Sequence, residues 1–339
     1  MTFRIRKQWR WAVALAAVFV PGIVSGALVL PFKFTAGTQI NAADVNANFE
    51  ALRAKLDSLS GTPVLPTVGT ITMPNIVTSA PIRKFTQNIT VPASVAGGGA
   101  AKPVLGDIEI TRDAGTGSPL LNLTPNQGKS LATTDIVLGN LTIKLKNVMI
   151  SNIKVTGPQA DLPQEVISLS FASIEWNYTP PGQPTRTTSY DKSTAVGGST
   201  GALAFKFAYV PAGGTVASGF LPITSYTHGM GCQTALGGAA CKPQHQPVSV
   251  QRGVTLDTID EISHVLSGAK SNTLELNWFA NATTVNNSIK LTAVAPVGIT
   301  LTTREDGSFS ESVDFSYSTI TWTAGLVSAG WDIVGNKQL

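Results

Sequence analysis

Residues 165–178 read EVISLSFASIEWNY, and residues 311–324 read ESVDFSYSTITWTA. In each stretch apolar residues alternate, slip by one position, and alternate again to end on Ile-x-Trp. Ile167, Leu169 and Phe171 share one parity and Ile174, Trp176 and Tyr178 the other; in the second stretch Val313, Phe315 and Tyr317 give way to Ile320 and Trp322. Alternation with period two is the signature of a strand with one buried face. A change of parity midway demands either a bulge with one extra residue or a long strand whose two parts bury opposite faces. The same slip recurs 146 residues later, measured between Trp176 and Trp322, so the chain is restricted to a β architecture built twice.

The repeat extends outward. NSIKLTAVAPVGITL, ending at Leu301, aligns with NLTIKLKNVMISNIKV, ending at Val155, at the same offset. Upstream, HQPVSVQR aligns with LGDIEITR, placing Arg252 over Arg112, and PITSYTH aligns with PIRKFTQ, placing Tyr226 over Phe85. A repeat this long is a duplicated domain, because solenoid periods run to only ~20–50 residues. The 339 residues suffice for about two or three domains. A charged fraction of 13%, with 32 Gly and 20 Pro punctuating Thr- and Val-rich runs, reads as all-β. Between the copies, Thr179 to Gly201 is rich in Pro, Gly, Ser and Thr, the composition of a linker or a long surface loop.

Two helices are expected near the repeat. In TLDTIDEISHVLSGAK, Thr258 and Glu261 form a capping box, Ile259, Ile262, Val265 and Leu266 an apolar face, and Gly268 a stop. The matching DAGTGSPLLNLTPNQGKS is richer in Gly and Pro and supports a turn or two. A third helix precedes both copies. Val45, Phe49, Leu52, Leu56 and Leu59 follow at spacings of 4, 3, 4 and 3, a heptad seam suited to a stalk that joins chains. The alternative is an amphipathic helix packed on the body, since the seam barely exceeds two heptads.

The first residues have the form of an export signal: basic MTFRIRKQWR, apolar WAVALAAVFV, then PGIVSGA with small residues for cleavage near Gly26 or Ala27. The alternative is an uncleaved anchor from Trp11 to Phe32, which would be the one contact with a membrane. Much of the net charge of +4 comes from Arg4, Arg6, Lys7 and Arg10, and the remainder has no basic stripe with interleaved aromatics, so a nucleic-acid partner is not expected. Export favours a disulfide between the two cysteines, Cys232 and Cys241, closing QTALGGAA. Zinc at that pair would need two further ligands, and His228 and His245 flank it only loosely. No metal and no cofactor are expected.

Catalysis has no support in the sequence. His228 lies in a Gly-rich loop, His245 before a strand, and His264 on the helix face away from Ile259 and Ile262, where solvent is the ordinary neighbour. Asp113, Asp257 and Asp260 stand at strand-to-helix junctions, where capping accounts for them. GxSxG, HExxH and a phosphate loop are all missing. Trp176 and Trp322 could form a carbohydrate platform, but aromatics at equivalent repeat positions more often fill a core.

With the repeat laid out, each copy resembles the Hcp family, the tube protein of type VI secretion systems. The features that carry the resemblance are KFTQ and SYTHG, IEITR and VSVQR, the helix DTIDEISHVLSG, VMISNIKV, and most specifically EVISLSFASIEWNY. Separately, FTAGTQINAADVNANFEALRAKL resembles short helical stalks of phage tail fibres and exported bacterial proteins. The resemblance implies a mainly β chain: two tandem Hcp-like β-barrels, each with a short flanking helix, after an N-terminal coiled-coil-like helix. The implied layout is a signal peptide at 1–27, stalk and linker at 28–66, a first barrel at 67–190 and a second at 191–339. It also implies self-association, since the family forms six-membered rings that can stack into tubes. Three chains of two barrels would complete such a ring as a homotrimer, with secretion or surface-fibre partners outside it. The tube protein of this family is ordinarily a single domain without an export signal, and this chain departs from that on both counts. A secreted or cell-surface module that binds carbohydrate is the second reading.

Overall fold

The computed structural model describes residues 65–92, 102–157, 163–197, 205–209, 219–233, 242–279 and 284–339. The expected signal segment, the seam from Val45 to Leu59, and Cys241 lie outside the described residues. The described chain is mainly β, with two helices. Among the described residues no helix is long and apolar enough to cross a membrane.

The first segment runs β1 (Gly69–Met73), β2 (Val77–Ile82), β3 (Lys84–Thr90), β4 (Val104–Leu105), β5 (Ile108–Asp113), α1 (Ser118–Asn126), β6 (Leu131–Leu138), β7 (Leu141–Thr156), β8 (Gln164–Ser170), β9 (Ser173–Tyr178), β10 (Arg186–Asp191) and β11 (Val196–Gly197). The second runs β12 (Phe205–Tyr209), β13 (Leu221–Ile223), β14 (Ser225–Thr227), β15 (Met230–Gln233), β16 (Lys242–His245), β17 (Val248–Gly253), α2 (Leu256–Ser267), β18 (Ser271–Phe279), β19 (Val285–Thr303), β20 (Phe309–Ser316), β21 (Thr319–Ala324), β22 (Val327–Asp332) and β23 (Lys337–Gln338).

In each segment one long strand serves two sheets. The start of β7 pairs with β6 and β9, whereas its end pairs with β8. Likewise β19 pairs first with β18 and β21, then with β20. The changeover needs a twist of the chain, and both strands place a residue with positive φ there, Asn147 at 50° and Ala293 at 49°. Four residues on, each has a bulge, between Ile150 and Asn152 and between Pro296 and Gly298. A bulge bends its strand and re-aims the side chains that follow.

This double use explains the parity slip. The chain breaks at Phe171–Ala172 and at Tyr317–Ser318, and leaves one sheet for the other. β8 lies on β5 and β7, while β9 lies on β7 and β10. Each half of the motif thus buries its own face, with Ile167 and Leu169 inside before the break and Ile174 and Trp176 inside after it. Neither a single bulged strand nor one continuous strand is needed.

Three local expectations change. The Pro- and Gly-rich stretch after Thr179 is not purely a linker: it contains β10 and β11, paired outward from β9. β22 and β23 extend β21 in the same way. The α2 cap is one turn earlier than the sequence suggested. Thr255 is the N-cap and its N–H donates to Thr258 Oγ1 at 2.9 Å, which frees Glu261 for the interior. Gly268 ends the helix in the left-handed conformation at φ 65°, as its position required.

The two segments share a sheet. Gly298–Thr302 of β19 pairs antiparallel with Thr86–Thr90 of β3, so one ladder runs β8, β5, β3, β19, β20, β17, β14. Buried Phe85, Ile89, Ile299 and Leu301 line this junction. The Phe85 N–H donates to Thr303 Oγ1 at 3.0 Å, and the Phe85 ring meets Phe309 edge-on at 5.6 Å.

Candidate functional site

Three places concentrate chemistry or unsatisfied surface: a buried charge cluster, a polar group around Trp322, and two open strand edges. Arg112 on β5 faces Glu165 on β8, and their side chains form an ion pair at 3.0 Å with both residues almost wholly buried. Arg252 on β17 faces Glu311 on β20 in the same way, at 2.5 Å. The second segment adds a carboxylate, because Glu261 of α2 lies 3.0 Å from Arg252. Arg252 Nη1 also donates to Thr255 Oγ1 at 2.8 Å. Two carboxyls thus share one guanidinium in the dry interior. Burial, with Glu261 alongside, holds the Glu311 carboxyl well above the ordinary range, even though Arg252 pulls it down. Burial acts against the charge of Arg252 too, but Glu261 and Glu311 keep its pKa above the usual value. Such a sealed cluster binds α2 to its sheet and offers no substrate a way in.

The polar group joins residues far apart in sequence. His228 Nε2 lies 2.7 Å from the Tyr317 hydroxyl, and that oxygen lies 3.5 Å from His245 Nδ1. The imidazoles are nearly parallel, 26° between planes and 5.8 Å between centroids, and His228 lies 6.1 Å from the Trp322 ring. All four side chains are half-buried. Burial pushes the His228 pKa down and His245 adds to the effect; burial alone depresses His245, and it raises the Tyr317 phenol to about 12. The sequence treated these histidines as scattered. Their meeting depends on the β15–β16 hairpin, where His245 pairs with Met230, folding back beside the β20–β21 break.

The first segment fills the matching positions differently. Trp176 pairs with Ile143 as Trp322 pairs with Ile289, and Leu105 pairs with Ile89 as His245 pairs with Met230. There Trp176 is fully buried and its Nε1–H donates to Gln87 Oε1 at 3.0 Å. A carbohydrate platform therefore loses one of its two tryptophans. Leu105 and Phe171, the counterparts of His245 and Tyr317, are core.

The other expected polar positions resolve as structure. His264 is buried, contrary to the exposure its helix face suggested, with Nδ1 2.8 Å from the Asp260 carbonyl. Asp113 accepts from Arg83 at 2.7 Å, and Asp260 pairs with Arg186 of β10, tying α2 to the first segment. Neither aspartate caps a helix. Among the described residues no three His, Cys, Asp or Glu side chains gather as a metal cluster.

The open edges mirror the internal junction. β14 pairs with β17 on one side, and the end of β7 pairs with β8 on one side; among the described residues no strand covers the other side of either. Tyr226 on β14 and Met230 just beyond it stand where the junction has Phe85 and Ile89, yet both are exposed, Met230 to 62%. On β7, Val155 stands where the junction has Leu301, and is 53% exposed against 0%.

Residues 69–178 match the family described as "Type VI secretion system effector, Hcp". Those residues, β1 to β9, resemble an Hcp domain. Among solved structures it is similar to Hcp1 from Salmonella typhimurium, at 16% identity over 37% of this chain and 95% of that one, with a TM-score of 0.33. A type VI secretion system effector from Yersinia pestis is similar at 22% identity, over 36% of this chain and 98% of that one, TM-score 0.31. Hcp1 from Flavobacterium johnsoniae gives 10%, 35%, 98% and 0.28. No curated protein matches. The family match thus covers β1 to β9 of the first segment.

Proposed function

We propose that this chain is an exported structural protein, two tandem Hcp-like barrels that associate with two more copies of itself into a ring of six. The observation that carries the reading is the β3–β19 junction. If the segments are duplicates, the same head-to-tail interface is available between chains, with β14 of one against the end of β7 of the next. A heterologous interface of this kind makes a ring when its rotations close. Three of the four apolar residues that the inner junction buries have exposed counterparts at the outer edges, Tyr226 and Met230 on one and Val155 on the other, as an unfinished assembly requires. No side-chain constellation in the described residues argues for catalysis, and the family resemblance argues for a scaffold. The Val45 to Leu59 seam would hold three chains near the threefold axis.

Light scattering and electron microscopy of the mature chain test this together. A mass of three chains and six-lobed rings are expected. A monomer at tens of micromolar would discard the reading.

Export carries its own expectation. Antiparallel pairing of Cys232 with Pro243 brings the chain back within two residues of Cys241, leaving a loop short enough for a disulfide. Peptide mapping without reductant should find Cys232 linked to Cys241. Two free thiols in protein collected from outside the cytoplasm would count against both the bridge and the compartment.

A further inference from the structure

We propose that His228, His245 and Tyr317 form a binding site for a divalent transition-metal ion, copper(II) in preference to zinc(II). Their donor atoms converge. His228 Nε2 and His245 Nδ1 both approach the Tyr317 oxygen, at 2.7 and 3.5 Å. With bonds of about 2.0–2.1 Å, neighbouring donors are roughly 2.8 Å apart around a tetragonal ion such as copper(II) and roughly 3.3 Å apart around a tetrahedral one. The two separations from the Tyr317 oxygen, 2.7 and 3.5 Å, bracket that range, and water would complete the shell. The group is half-buried, so a solvated ion has a way in and the donors are already partly desolvated.

Hydrogen bonding alone does not account for the arrangement. His228 and Tyr317 satisfy each other at 2.7 Å, but 3.5 Å leaves His245 at the outer limit of a hydrogen bond. A second imidazole stacked on the first at 5.8 Å gains little from it without a shared partner. The first segment shows what these positions hold when they serve the core: Leu105 and Phe171, which pack, and Gln87, which accepts from Trp176, all buried. At each of the three, the second segment has a side chain able to ligate a metal. Imidazole nitrogen suits copper and zinc, and copper(II) heads the divalent series in affinity.

The site lies within one chain and does not depend on ring formation. Its test uses the untagged mature chain, stripped of metal and titrated with copper(II) or zinc(II) against a competing chelator. One ion per chain is expected, with copper bound more tightly. Copper should quench tryptophan emission chiefly through Trp322, 6.1 Å from the His228 ring. Trp322→Phe should lose most of the quenching and keep the stoichiometry. His228→Gln and His245→Leu carry over the residues of the first segment, and each should weaken binding by at least ~10-fold. Should a variant misfold, paramagnetic resonance of the copper-loaded wild type decides, since coupling to two imidazole nitrogens is expected. Dissociation constants weaker than ~100 µM, a spectrum without imidazole nitrogen, or unchanged binding in the folded double variant would each overturn the assignment.

Discussion

Arg252→Met should remove about 3–5 kcal/mol of stability at pH 8, because it strips the cation from Glu261 and Glu311 and leaves both carboxyls in a dry interior. The methionine nearly fills the vacated space, so the loss is electrostatic. At pH 5 the deficit should shrink, as the Glu311 carboxyl, already held above the ordinary range, takes up a proton. Equilibrium denaturation across pH measures both effects. An Arg252→Met variant as stable as wild type at pH 8 would mean that the cluster is hydrated.

The same cluster makes the wild type sensitive to pH. The folded pKa of Glu311 is raised above its unfolded value, so between the two the folded state binds one more proton than the unfolded state. Stability is therefore full below the ordinary carboxylate range and falls as pH climbs towards the folded value, by at most about 1.4 kcal/mol per pH unit. Glu311→Gln removes that proton and should flatten the slope. An unchanged slope would locate the titration elsewhere.

Much of the fold was legible because it is written in alternation. The parity slip marked the point where each segment changes sheets, and the common offset of the tryptophans anticipated their matching partners, Ile143 and Ile289. Helix α2 was legible from its apolar spacing, but its interior acid was not. Glu261 looks like a capping residue until the cap is found at Thr255, and only a partner from another strand, Arg252, explains a buried carboxylate. β10 and β11 were hidden by composition, since Thr- and Ser-rich edge strands resemble loops when their stability comes from a neighbour already in place. The His228, His245 and Tyr317 group was illegible for a similar reason. Tyr317 is 72 residues from His245, and nothing local announces the contact. It can be found only by comparing the copies position by position, where Gln, Leu and Phe have become His, His and Tyr.

Covalent trapping at the outer edges should give three linked chains and stop there. In the inner junction Thr86 pairs with Thr302, and their hydroxyls lie 3.4 Å apart. The corresponding outer residues are Thr227 on β14 and Thr156 on β7, both exposed. With Thr227→Cys and Thr156→Cys in one chain, each chain can link to two neighbours. A closed ring of three yields dimer and trimer bands under mild oxidation, and an open head-to-tail assembly yields a ladder without an end. Val155→Lys with Met230→Lys supplies the opposing arm. Both residues are exposed in the single chain, so folding should shift by no more than about 0.5 kcal/mol. Lysines on a strand edge resist pairing, and here two would meet across the same interface. One strand pair is a weak contact, and five seam residues worth ~1.5–3 kcal/mol each when fully buried make a short coil, so the two should act together. Phe49→Asp with Leu56→Asp, placed in the seam, should then lower the trimer's stability to dilution much as the edge lysines do. A ladder beyond three, or a trimer untouched by either pair of substitutions, would break the ring model at the interface it depends on.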